Sequence, residues 1–271
     1  MRGHRLTAGL LATIVIALVS AGCSGLKARD NINSGTAAFK SGDFASAVDH
    51  FKTAVELDPK IPNVRIYLAT AYLQQYVPGN NSPENTKYAD AALDELNKQL
   101  AEDPKNLLAT EYVANIYYTR NEAAKAEEWN KKVIELDPNN KEAYYTLGVV
   151  AWQQFLVPDR EALIAEKKQV GDGPIKDPKA KQALKDKYYQ SLTQGVEYEK
   201  KALSIDPEYE NAMAYMNLLI RYRADLDDTR DQYLADAKEA DSWVDKTMET
   251  KKRKAAKKAE KDAGGAMPDA K

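Results

Sequence analysis

The chain has 271 residues, 44% of them hydrophobic and 30% charged, with a formal net charge of -2. That balance suits a folded soluble body and excludes a disordered chain, which would lack the apolar residues for a core. Alanine, lysine, leucine and glutamate dominate and β-branched runs are scarce, which favours helix throughout and argues against a β architecture.

The first 22 residues stand apart. Arg2, His4 and Arg5 make a basic start, and Leu6 to Val19 is an uncharged, mostly apolar run of 14 residues. A membrane-spanning helix needs roughly 20. Ser20, Ala21 and Gly22 then lead to Cys23. This is the layout of a secretory signal peptide over 1–22, to be set aside from fold reasoning. Ala21-Gly22-Cys23 resembles the core of the bacterial lipoprotein signal, although Ser20 stands where leucine is usual. The resemblance implies that Cys23 is diacylated on sulfur, that the chain is cut before it, and that the new amine is acylated. One acyl chain binds membranes weakly, at ~0.8 kcal/mol per buried methylene, so several are needed for a stable anchor. Ser24 after the cysteine resembles the signal for outer-membrane sorting. The expectation is a lipidated linker over 23–30 and a periplasm-facing place in the bacterial envelope, at the outer membrane rather than the inner. Cys23 is the only thiol, so once it is acylated neither a disulfide nor a thiolate metal site can form.

Beyond the linker the chain repeats. Asp58-Pro59, Asp103-Pro104, Asp137-Pro138 and Asp206-Pro207 place their prolines 45, 34 and 69 residues apart. These intervals are a period of 34 with additions. In the first unit Gly35 falls in a first helix, Gly42-Asp43-Phe44 makes a turn, and Ala47, Phe51 and Ala54 precede Pro59. Small residues let two helix backbones approach, an aromatic fills the gap, and a proline prevents the second helix from continuing. The pattern resembles the tetratricopeptide repeat, whose unit is a pair of antiparallel helices. The resemblance implies an all-α, right-handed solenoid of about five helix pairs over 31–250. Units three and four carry Asn130 and Glu199 where an aromatic is usual, with Trp129 and Tyr198 one place earlier. That shift predicts second helices rotated slightly about their axes.

Two insertions come after the first helices of units two and four, at about 75–85 and 153–187. They begin alike, with Tyr72-Leu73-Gln74-Gln75-Tyr76-Val77-Pro78 and Trp152-Gln153-Gln154-Phe155-Leu156-Val157-Pro158. Ser82 and Pro83 read as N-cap and first residue of the next helix. Asp159 reads as the start of a short helix ending near Gly171, and Asp177-Pro178 as the start of a long one reaching Ser204. A fifth first helix begins near Tyr209, with its partner, a long capping helix, within about 228–254. Residues 251–271 read as a basic, partly disordered tail. Between Lys246 and Lys261 eight basic residues face only Glu249 and Glu260, so Lys251–Lys261 could touch an anionic surface.

Catalytic patterns are missing. The one histidine past the signal, His50, has no cysteine to pair with, no serine elbow is present, and Gly171-Asp172-Gly173-Pro174 is a turn rather than a phosphate loop. No enzyme activity, cofactor or metal is expected, and nucleic acid does not suit the compartment. The resemblance places first helices on the concave side. Carried over by position, this gives Phe39, Ile66, Leu73, Gln74, Asn115 and Tyr118 in the N-terminal half. In the C-terminal half it gives Tyr145, Trp152, Gln153, Arg221 and Tyr222. Rings offer rigid contact area and amides satisfy an extended backbone, which fits a protein or peptide partner. The expected function is a membrane-tethered adaptor or scaffold. An assembly factor for outer-membrane proteins or pili is the alternative, and an envelope hydrolase a remoter one.

Overall fold

The computed structural model describes residues 24–169 and 171–264, with side chains through residue 262. The signal segment, Cys23 and residues 265–271 lie outside the described residues. Everything regular among the described residues is helix. Helix α1 covers 24–40, followed by α2 (Phe44–Leu57), α3 (Val64–Leu73), α4 (Pro83–Glu102) and α5 (Leu107–Thr119). Then come α6 (Ala123–Leu136), α7 (Lys141–Ala165), α8 (Pro178–Ile205), α9 (Glu210–Ala224) and α10 (Arg230–Gly264). The chain divides into two compact units, one to Arg120 and one from Asn121. None of the described helices is long and apolar enough to cross a membrane.

The Asp-Pro pairs work as a repeated turn. At each, the aspartate N–H closes the outgoing helix onto the carbonyl four residues back. Its carboxylate then accepts the N–H two residues on, beyond the proline: Lys60 at 3.1 Å, Lys105 at 3.3 Å, Asn139 at 3.0 Å and Glu208 at 3.0 Å. An Asx turn of this kind bends the chain while satisfying a donor that the helix end would otherwise orphan. In two of the turns the next helix starts at once, because Asn106 and Asn140 cap α5 and α7 through Ala109 N–H and Ala143 N–H.

In the N-terminal unit, Gly42 takes φ +82° in the turn between α1 and α2, and Asp43 caps α2 through both the backbone and the hydroxyl of Ser46. Phe51 of α2 packs against Gly35 of α1, where a β-carbon would strike its ring. Ala47, Phe51, Leu68 and Ala71 form a core that Ile32, Phe39 and Tyr72 cover from outside. Helix α1 starts earlier than the expected linker allowed: residues 24–30 are helical and Ala28 is fully buried.

The C-terminal unit holds the larger core, with Phe155, Leu163, Ile175, Leu192, Leu219, Ile220 and Leu226 buried together. Here the insertion departs from expectation. Helix α7 does not stop at Pro158 but runs through it to Ala165, so Asp159 lies inside a helix rather than at a helix start. A proline inside a helix costs about 3 kcal/mol. Burial of Phe155 before it and Leu163 after it on one core offsets that cost. The matching heptapeptide in the N-terminal unit behaves differently: α3 ends at Leu73 and Val77 is exposed. The residues after each proline decide the outcome, Gly79-Asn80-Asn81 in one case and the helix-forming Arg160-Glu161-Ala162-Leu163 in the other. The loop after Pro78 is held by Asn85, which accepts from Val77 N–H at 2.8 Å and donates to Val77 and Asn80 carbonyls at 2.9 and 2.7 Å. Ser82 stands at the N-cap and Pro83 opens α4, but the serine hydroxyl makes no cap bond.

A further expectation is corrected. Helices α6 and α8 are not rotated: Asn130 and Glu199 are themselves buried, while Trp129 and Tyr198 are half-exposed. The buried stripes of Ala126, Asn130 and Val133, and of Gly195, Glu199 and Ala202, keep helical spacing, and the small residues at their ends hold the register. The basic tail is helical to residue 264 as the continuation of α10. Arg253 and Lys254 tie it to Glu208 and Glu210 on the α8–α9 turn and α9.

Candidate functional site

Each first helix presents one stripe to its neighbours and another outward. In the N-terminal unit, Gln74 and Asn115 are exposed, and Leu73 and Tyr118 half-exposed. Burial raises the Tyr118 phenol above its ordinary range. Phe39 packs edge-on against Phe44 across the α1–α2 turn, ring centres 5.3 Å apart. Ile66 is 2% exposed. It belongs to the interior, because the buried face of α3 runs Val64, Ile66, Leu68, Ala69 and Ala71 and takes in more of the helix than one stripe.

The C-terminal unit brings most of its expected residues together, as packing. Tyr145 and Trp152 on α7 interleave with Tyr215 and Tyr222 on α9. Ring centres are 5.3 Å apart for Tyr145–Tyr215, 5.5 Å for Trp152–Tyr215 and 5.8 Å for Trp152–Tyr222, all edge to face. Tyr209 and Phe155 extend the row at either end. Such pairs add about 0.5–1.5 kcal/mol each beyond area burial. Tyr222 is 8% exposed, and the Trp152 indole nitrogen is buried without a hydrogen-bond partner among the described residues. Both rings therefore hold α7 to α9. Gln153 remains half-exposed, and Arg221 is drawn into an ion pair with Asp241 of α10.

A second group of residues has almost no sequence signature. Asp159, Glu199 and Asp225 are fully buried, and neither carboxylate oxygen of any of them has a partner among the described residues. Burial pushes Glu199 up to about 10, Asp159 to about 7 and Asp225 to about 8, with the Asp159 charge adding to the rise at Asp225. Asp227, in the α9–α10 turn, rises to about 6 by the same burial. Only Glu199 leaves a trace in the sequence, as an acid in the place of a repeat aromatic. No group of three or more potential metal ligands is gathered among the described residues. His50 is half-buried, its Nδ1 3.2 Å from Asn31 Oδ1.

One further concavity, of about 430 Å³, opens between α6, α7 and α8. Its walls are polar, with Lys131, Lys187, Gln190 and Gln194 among them, and Lys131 is already engaged by Glu127.

A tetratricopeptide-repeat family model matches residues 32–80 and 84–141. Solved structures agree over most of the chain. The crystal structure of the MamA protein superposes with a TM-score of 0.57 at 17% identity, covering 86% of this chain and 96% of that one. The fold is that of the tetratricopeptide repeats. MamA from Desulfovibrio magneticus RS-1, residues 41 to the end, gives 0.56 at 16% identity over 84% of this chain and 96% of that one. YrrB, described as a tetratricopeptide protein with an unusual peptide-binding site, gives 0.51 at 13% over 82% and 90%. Comparison with curated protein sequences finds no match. In repeat terms α1, α3, α5, α7 and α9 are first helices and the others second helices.

Proposed function

We propose that the protein is a protein-binding scaffold, tethered through acylated Cys23 to the periplasmic side of the bacterial outer membrane. The observation that carries the binding role is the outward stripe of the first helices in the N-terminal unit. Leu73, Gln74, Asn115 and Tyr118 remain accessible there, while in the C-terminal unit Tyr222 is buried and the half-exposed Tyr145 and Trp152 also pack against rings of α9. Exposed amides beside partly exposed apolar and phenolic groups suit a peptide segment, which needs donors and acceptors for its backbone as well as a surface for its side chains. A neighbouring fold, YrrB, is described as having a peptide-binding site. Lys251, Lys252, Lys258 and Lys261 are exposed and without an ion-pair partner among the described residues, so they are free to meet negative charge.

A photo-crosslinking residue placed at Gln74 or Asn115 in living cells tests the binding role. A discrete adduct from those positions, and none from Lys132 on the second-helix side, supports the reading. Equal labelling from all three would remove it. The anchor is tested separately with Cys23→Ser, which should leave the protein unprocessed or soluble. Membrane fractionation of a processed Cys23→Ser chain would show that acylation is not the tether.

A further inference from the structure

Helix α10 has two faces with different fates. Tyr233, Ala240, Thr247 and Thr250 are buried on one of them. The other carries Leu234, Ala237, Val244, Met248 and Ala255, separated by three, seven, four and seven residues. This is the a/d spacing that meshes with another helix. That face is only partly covered among the described residues: Leu234 is 49% exposed, Val244 39% and Met248 49%, while Ala237 is half-buried. A terminal repeat helix ordinarily turns a polar outer face to water, so three large apolar groups in line on this one need a partner.

The charges say which. From Arg230 to Asp245 the helix carries five acids and two bases, and from Lys246 to Lys261 eight bases and two acids. Asp231, Glu239 and Asp245 in the first half have no ion-pair partner among the described residues, nor have Lys251, Lys252, Lys258 and Lys261 in the second. A copy of the same helix laid antiparallel, with Val244 against Met248, sets Ala237 against Ala255, and Asp241, which also holds Arg221 of its own chain, against Lys251. Every apolar residue then meets an apolar group or a lysine stem (Leu234 lies on Lys258), and the acidic half of each helix meets the basic half of the other. A parallel pairing would set like charge on like. An anionic lipid surface would attract the basic half and repel the acidic half of the same stripe.

We propose that the outer face of α10 is a self-association surface that takes α10 of a second copy antiparallel about a two-fold axis. The contact is isologous, so each copy supplies both halves of the match. The anionic charge met by Lys251 is then the acidic half of the other copy's α10.

Replacing Cys23 by serine leaves any introduced cysteine as the only thiol, which allows a positional test on the purified full chain. Leu234→Cys and Lys258→Cys are made separately in that background and mildly oxidised, alone and mixed. The mixture should give a covalent dimer joining 234 to 258, and neither variant alone should, because like positions lie far apart in the antiparallel pair. A dimer from Leu234→Cys alone would mean parallel pairing and overturn the proposal, as would a mixture that stays uncrosslinked. A Val244→Asp/Met248→Asp chain, checked for unchanged helix content, should sediment as monomer at concentrations where the parent is dimeric. A parent that is monomeric, yet floats with phosphatidylglycerol vesicles through Val244 and Met248, would overturn the proposal by assigning the face to a lipid surface.

Discussion

Glu199 on α8 and Gly148 on α7 are packed so closely that a β-carbon on the glycine would run into the carboxylate. The glycine exists for the acid, and the acid has no hydrogen-bond partner among the described residues. Gly148→Ala should therefore destabilise the C-terminal unit. An added methyl in a full core costs about 1–3 kcal/mol, more than the ~1 kcal/mol that alanine gains over glycine in a helix. Glu199→Ala should make room and reverse the sign, so that Gly148→Ala becomes neutral or stabilising in the double variant. Urea unfolding of the two single variants and the double closes the cycle. Additive effects would mean that the two side chains do not meet.

The buried acids make stability depend on pH, and the direction is fixed by their shifts. Asp159, Asp225, Asp227 and Glu199 are all raised in the folded state, to about 7, 8, 6 and 10. Below about pH 4 they are protonated folded or unfolded and cost nothing. As pH rises past about 4 the unfolded chain ionises while the folded chain holds its protons, so stability falls until each folded pKa is passed. Arg160, Lys168, Arg221, Arg223 and Lys185 oppose the shifts of the aspartates without cancelling them. The C-terminal unit should be more stable at about pH 5 than at about pH 8, by an amount on the order of a few kcal/mol. Asp159→Asn should flatten that slope. Equal urea midpoints at the two pH values would show that these carboxyls are solvated in solution.

Position in the repeat makes Trp152 an exposed contact ring, whereas the structure makes it the middle of an edge-to-face row between Tyr215 and Tyr222. Trp152→Ala should lower the melting temperature, with a loss of about 3 kcal/mol from the cavity and the two ring pairs. Gln153→Ala, one residue on and half-exposed, should leave stability unchanged. Thermal unfolding by circular dichroism compares them directly. An unshifted melting curve for Trp152→Ala would return the ring to the surface.

The repeat fold is legible in the sequence because its signals recur at a fixed interval: the Asp-Pro turns act locally, and the small residue opposite Phe51 marks where two helices touch. The face of each first helix is less so. Position in the repeat puts Ile66, Trp152 and Tyr222 on one side, but which rings are spent between neighbouring helices depends on what stands opposite, and Tyr215 gives no sign of that. Pro158 misleads for a related reason. A proline usually ends a helix, yet Leu163 and Ile175, close in space to Phe155 and further along the chain, make continuation worthwhile. The buried aspartates are invisible because Asp159 on the one hand, and Asp225 and Asp227 on the other, sit in two separate stretches whose composition reads as solvated loop and helix end.

Asn85 ties down the first insertion with one side chain. Its amide oxygen and nitrogen take up Val77 N–H and the carbonyls of Val77 and Asn80, and it is only 6% exposed. Each such bond contributes about 1 kcal/mol net, and leaving the backbone groups buried without partners costs more. Asn85→Ala should release the 74–82 loop while α3 and α4 stay packed, since α3 keeps Leu68 and Ala69 buried and α4 keeps Ala89 and Leu96 buried without it. Hydrogen exchange at the Val77 amide should quicken by about a hundredfold, with the amides of α4 past its first turn unchanged. Asn85→Asp should restore only the acceptor, and with it the bond from Val77 N–H but neither bond to a carbonyl. Unfolding of α3 and α4 together with the loop would show that the insertion is part of the repeat's core rather than an addition to it.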